Sequence, residues 1–119
     1  MPVVLLYCPM PDSETATALA AELLKQRLVA CVNIIPAMQS LYWWEGEIKT
    51  DTETLLLAKT TADSKQQVQE YLEHAHPYTV PCIAFLPLDG VNQAYADFVR
   101  AALAEPVAPD AAAQPRAFE

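Results

Sequence analysis

Few side chains here have the chemistry to do more than pack: three cysteines (Cys8, Cys31, Cys82), two histidines (His74, His76), and Trp44, Glu45, Lys59 and Tyr78, which sit beside turns or inside apolar runs. Thiolate and imidazole suit copper, and thiolate favours Cu(I), so Cys8, Cys31, His74 and His76 are candidate metal ligands. Their spacing is not that of a closed metal motif. The cysteines are odd in number, far apart and without a C-x-x-C pair, which fits reduced thiols in a reducing compartment. Cys31 and Cys82 lie among apolar strand-type residues and read as small buried core residues. His74 and His76 are two apart and diverge on a continuous helix, so they can share an ion only if the helix ends between them, as Pro77 allows. A plainer role for His76 is structural: a ring hydrogen-bonded to a carbonyl, locking the loop before the prolines. Any good metal site must assemble in the fold or across subunits.

Lys59 follows Leu55–Ala58 in a run expected to be largely buried, and a buried lysine needs a partner or a ligand. Glu45 across an interface, a bound anion, or an ordinary ion pair at a subunit seam would each satisfy it. General-base chemistry at His76, with Glu45 or Tyr78 beside it, is a further option. Against it, the chain shows no activated nucleophile, no glycine-rich phosphate loop, and only two glycines. We expect no enzyme.

Composition narrows the partners. With 15 Asp+Glu against 7 Lys+Arg, the formal charge of −8 repels phosphate backbones and anionic membrane surfaces and attracts cations, so neither nucleic acid nor membrane insertion is expected. The apolar start, MPVVLLYCP, has no positively charged leader and stops early at a proline, and no apolar run approaches the roughly 20 residues of a membrane span. The expected location is cytoplasmic. The 119 residues fit one domain, able to bury roughly two-thirds of its unfolded surface.

The elements that must position these side chains follow from periodicity. Val3–Tyr7 reads as a buried strand ended by the Pro9–Pro11 cluster. Asp12 or Ser13 can cap a helix with Ala16, Leu19, Ala20 and Leu23 on one stripe. Ala30–Ile35 is a strand that Pro36 interrupts, predicting an edge position, bend or bulge, and it resumes at Ser40–Trp44. Glu45-Gly46 forms a tight hairpin turn, and Glu47–Thr61 returns, polar near the turn and apolar beyond it. A projecting two-stranded arm is marginal alone, so the tip, Leu41, Tyr42, Trp43 and Trp44, is expected to pack on another subunit. Asp63 and Gln66 suggest a capping box before a helix striped by Val68, Tyr71, Leu72 and Ala75, ending at His76-Pro77. Cys82–Leu86 is a strand, and Tyr95, Phe98, Val99 and Ala102 trace a last helix. Residues 1–104 are expected to form the single domain, with 105–119 a disordered alanine- and proline-bearing tail. The order matches a ferredoxin-like split βαβ plan: an α+β fold with an antiparallel sheet, a long β-hairpin and a C-terminal helix.

The segments Cys8–Asp12 (CPMPD), Leu28–Pro36 (LVACVNIIP), Ser40–Ile48 (SLYWWEGEI), Leu55–Thr60 (LLLAKT) and His76–Pro81 (HPYTVP) resemble, in order and spacing, the CutA divalent-cation tolerance proteins over residues 3 to about 103. The resemblance implies a ferredoxin-like subunit in a homotrimer similar in architecture to the PII signalling proteins, a role in tolerance of divalent metals, and copper, as Cu(I) or Cu(II), or another divalent cation as the ion, with Cys8, Cys31 and His76 as metal ligands. It also implies an intersubunit cleft formed by Trp44, Glu45, Lys59, His76 and Tyr78. Phe98 replaces a tryptophan common in the family, and Cys82 and the tail are departures. A PII-like trimer that holds a small anionic ligand in that cleft is the alternative function.

Overall fold

The computed structural model describes residues 2–106, so the expected tail beyond that point lies outside the described residues. Four strands and three α-helices follow one another as β1 (Val3–Met10), α1 (Ser13–Lys25), β2 (Cys31–Trp44), β3 (Glu47–Thr61), α2 (Lys65–Ala75), β4 (Ala84–Pro87) and α3 (Gln93–Ala104). They build one antiparallel sheet in the order β2-β3-β1-β4. This is the α+β, split βαβ plan expected from the element order.

Period two divides each strand between two faces. On one face Leu6, Cys8 and Met10 of β1 and Leu56 and Ala58 of β3 meet the stripe Ala16, Leu19, Ala20 and Leu23 of α1 and Val68 and Leu72 of α2, all buried in one core. On the other face Val3 packs with Ala96 and Val99 of α3. The rest of that face, including half-buried Leu5, Tyr7, Leu55 and Leu57 and exposed Ile35 and Leu86, has no helix over it.

Local chemistry explains the boundaries. The Asp12 carboxylate accepts from the Thr15 N–H at 2.7 Å and caps α1, and this bond holds its pKa below the usual range. At the other end Arg27, at φ 58°, takes the left-handed position usually given to glycine. The N–H groups of Arg27 and Leu28 bond back to the carbonyls of Leu24 and Leu23, so the last turn is satisfied. The turn Glu45-Gly46 has positive φ at both residues, 50° and 80°, as a two-residue hairpin of this hand requires. Pro36 behaves as anticipated: β2 is an edge strand, and its register shifts between Ile35 and Met38, with Ala37 at φ 63°.

Three expectations are corrected. β1 does not stop at Tyr7 but runs through Pro9, which pairs with Leu55. β4 reaches only from Val4 to Tyr7 of β1, so the missing N–H of Pro9 faces an edge with no ladder bond to lose. The capping box at Asp63 does not form; a single 3₁₀ turn, Ala62–Ser64, leads into α2, and its cap makes no side-chain bond. The last strand starts at Ala84, which leaves Cys82 exposed rather than in the core, while Cys31 is only half-buried. Cys8 is the buried thiol.

Leu56 is fully buried on the central strand β3, so Leu56→Ala is expected to lower unfolding stability by about 3 kcal/mol, read by urea denaturation at constant protein concentration.

Candidate functional site

Helix α2 ends where Pro77 forces its predecessor out of the helical region: His76 has φ −68° and ψ 135°. That geometry turns the imidazole inward, where it is 6% exposed. Nδ1 accepts the Tyr78 N–H at 3.1 Å, so the ring proton sits on Nε2, which donates to the Pro9 carbonyl at 2.8 Å. Both nitrogens are thus committed, and the ring lies 4.7 Å from that of Tyr78. His76 bolts the Pro77–Pro81 loop to β1 and thereby aims Tyr78. This is the structural role described for it above; a metal at either nitrogen must first break one of these bonds.

Tyr78 donates to Glu53 Oε2 at 2.7 Å. Two residues along β3, Asp51 accepts from the Tyr42 hydroxyl on β2. Glu53 and Asp51 share a face by period two, and the β2 register brings Tyr42 and Trp44 to it. With Pro9, Val80 and Cys82 they line an open cleft of about 260 Å³. Desolvation, then the bond to Glu53, pushes the Tyr78 phenol up; the Asp51 bond does the same for Tyr42. Both phenols therefore remain donors to their carboxylates. Asp51, Glu53 and the ring of Tyr42 are three of the cleft's eight lining residues; the sequence presented the two carboxylates as the polar half of an arm and Tyr42 as part of a tip that packs on another subunit. The signal was the same-face pairing of two carboxylates opposite an aromatic, which emerges only once the strand register is known.

Lys59 lies six residues further along β3 than Glu53, about 20 Å away at the usual strand rise. It is half-buried rather than largely buried, and its ammonium donates to Asn33 Oδ1 at 2.9 Å and stands 5.7 Å from the Tyr95 ring. Glu45 is at the far hairpin tip and exposed, so within one subunit Asn33 and not Glu45 is the partner. Tyr95 also interacts with Cys31, and burial followed by that contact raises its phenol to about 12. Of the five cleft residues, the subunit puts Trp44 and Tyr78 on one cleft, with His76 against Tyr78, and leaves Lys59 and Glu45 apart. Cys8 and Cys31 stand on opposite faces of the sheet, Cys8 toward the helices. Exposed His74 lies on the last turn of α2. Among the described residues no cluster of three or more His, Cys, Asp or Glu is placed to hold a metal ion, and no helix is long and apolar enough to cross a membrane.

Residues 4–102 match the CutA1 divalent ion tolerance protein family. The chain belongs to that family. A CutA divalent-cation tolerance protein of Thermus thermophilus is 44% identical over 91 residues, covering 76% of this chain and 88% of the relative. A chloroplastic CutA 1 of Oryza sativa is 36% identical over 100 residues, 84% of this chain, which spans only 56% of that relative's length. The CutA1 structure from Ehrlichia chaffeensis superposes with a TM-score of 0.83 at 33% identity, covering 87% of this chain and 97% of that one. In this CutA1 family member the thiol chemistry expected for copper meets an obstacle at Cys8: burial, with the Cys82 and Glu53 charges, raises its pKa from 9.0 to about 12, so the thiolate is disfavoured.

His76→Ala removes both ring bonds and should lower stability by about 2 kcal/mol in denaturant titration. The Cys8 shift has a pH consequence. An acid whose folded pKa is raised contributes stability below its unfolded pKa near 9 and loses it as pH rises toward 12. Stability should therefore fall across pH 9 to 12, by up to about 1.4 kcal/mol per pH unit from this group, and the fall should be shallower in Cys8→Ala.

Proposed function

We propose that the protein acts as a homotrimeric, non-catalytic divalent-cation tolerance protein, working in the cytoplasm, whose contact with metal is transient. The observation that carries the assembly is the hairpin. Its strands project beyond the helices, and one face of the projection presents Leu41, Trp43 and Ile48 at 65%, 72% and 62% exposure. Leu41, Trp43 and Ile48 share that face by register. Apolar surface of this kind on an arm that two strands cannot stabilise alone favours burial against other subunits. Membership of the CutA1 family supports the tolerance role, and the free cysteines suit a reducing compartment.

The non-catalytic reading rests on His76, whose two nitrogens are occupied, and on the Cys8 thiol, held protonated by burial. The same facts disfavour a resident copper centre built on Cys8, Cys31 and His76 in one subunit. Transient contact is supported instead by the −8 formal charge. An anionic ligand in the cleft is the weaker alternative, because the ligand would meet Asp51 and Glu53 there while Lys59 stands elsewhere.

Light scattering is expected to give three times the subunit mass at micromolar concentration. Trp43→Ser should shift the protein to smaller species and lower its thermal stability together, whereas Trp44→Leu, on the other face, should leave the mass unchanged. A monomeric wild type would sink the assembly. Anaerobic Cu(I) and aerobic Cu(II) titrations against a chelator should show weak binding unaltered by Cys31→Ser or His76→Ala; tight stoichiometric binding lost in either variant would reinstate the resident centre.

A further inference from the structure

We propose that the Tyr42–Trp44–Tyr78 cleft binds a small organic cation, an alkylammonium or quaternary ammonium group. The inference goes beyond the tolerance role and does not depend on it.

The walls decide the ligand class. Tyr42, Trp44 and Tyr78 supply three aromatic rings, and Asp51 and Glu53 supply two carboxylates. No lysine, arginine or histidine lines the cleft. The nearest cation by register, Lys49 opposite Tyr42, is already paired with Glu47 at 3.1 Å. Negative carboxylates and ring faces both attract positive charge, and the rings favour a cation that sheds water easily.

A bare divalent ion is a poorer fit. It requires several oxygen ligands converging at a fixed short distance, yet each carboxylate here is tied through one oxygen to a phenol on the wall. With the phenol bonds kept, two carboxylates offer one further oxygen each, too few for a divalent ion, and the apolar walls, Pro9 and Val80 among them, would go unused. An alkylated ammonium uses all of these groups as they stand: methyl groups against rings and apolar walls, charge shared by two carboxylates that keep their phenols. The volume, about 260 Å³, lies just under the range of drug-sized pockets and limits the ligand to a small headgroup.

The cleft also occupies a different face of the hairpin from Leu41, Trp43 and Ile48. Tyr42 and Trp44 are less exposed, at 40% and 43%, because they lean into the cleft.

The probe is tetramethylammonium chloride, titrated into the full-length assembled protein and followed by saturation-transfer NMR on its methyl protons, with sodium chloride matching ionic strength throughout. Saturable binding is expected, weakened about tenfold or more in Trp44→Leu and in Glu53→Gln and unchanged in Lys59→Ala. Asp51→Asn serves if Glu53→Gln disturbs the fold. Absence of saturable binding over sodium chloride, or binding indifferent to these cleft substitutions, overturns the proposal. Displacement of the probe by magnesium or copper at equal concentration overturns it too, by marking the cleft as a metal site, and leaves the tolerance role intact.

Discussion

Everything in this subunit depends on the register of β3, the strand that pairs with β1 along one edge and with β2 along the other. A one-residue slip would send Leu56 and Ala58 to the uncovered face and drive Glu53 and Lys59 into the helices. The turn at Glu45-Gly46 fixes one end of that register, since its two positive φ values admit only a two-residue connection of this hand. The bulge at Pro36-Ala37 then resets β2 against β3 by a single step. The reset puts Tyr42 and Trp44, rather than Leu41 and Trp43, on the face of Asp51 and Glu53. A proline that looks like a defect in an edge strand is thus what sorts the hairpin into an apolar side and an acidic, aromatic side.

The fold was largely legible because its cues are local. The stripe Ala16, Leu19, Ala20, Leu23 proved to be the buried side of α1 residue for residue, and the Pro36 interruption and the Glu45-Gly46 turn are where chain chemistry placed them. What failed to show depends on neighbours. Pro9 reads as a breaker until one sees that β4 is too short to need its N–H. Cys82 reads as core until the last strand begins two residues later. Lys59 looks buried because its preceding residues are apolar, but alternation gives it to the face on which only part of the sheet is covered. The site was less legible still. Trp44 and Tyr78 were singled out and line one cleft, with His76 behind Tyr78, yet the carboxylates beside them come from a threonine-rich stretch whose meaning is set entirely by cross-strand pairing.

His76 illustrates how one residue can be central without being reactive. Its ring spans the gap between the end of α2 and the unpaired edge of β1, filling the place that a longer β4 would occupy with backbone bonds. The Tyr78 phenol then reaches Glu53 from a loop stiffened by two prolines. The cleft is consequently built on groups that are ordered before any ligand arrives, and its phenols are donors at every ordinary pH.

Arg27 links parts of the molecule that the sheet otherwise separates. Its backbone closes α1, while its guanidinium donates to the Ala102 carbonyl at 3.3 Å and pairs with Glu105 at 3.2 Å, at the end of α3. One residue therefore clasps the first helix to the last around the sheet. The clasp is a tether between distant parts of the chain: to fray, the final turn of α3 must release a guanidinium anchored at the end of α1, some seventy-five residues earlier.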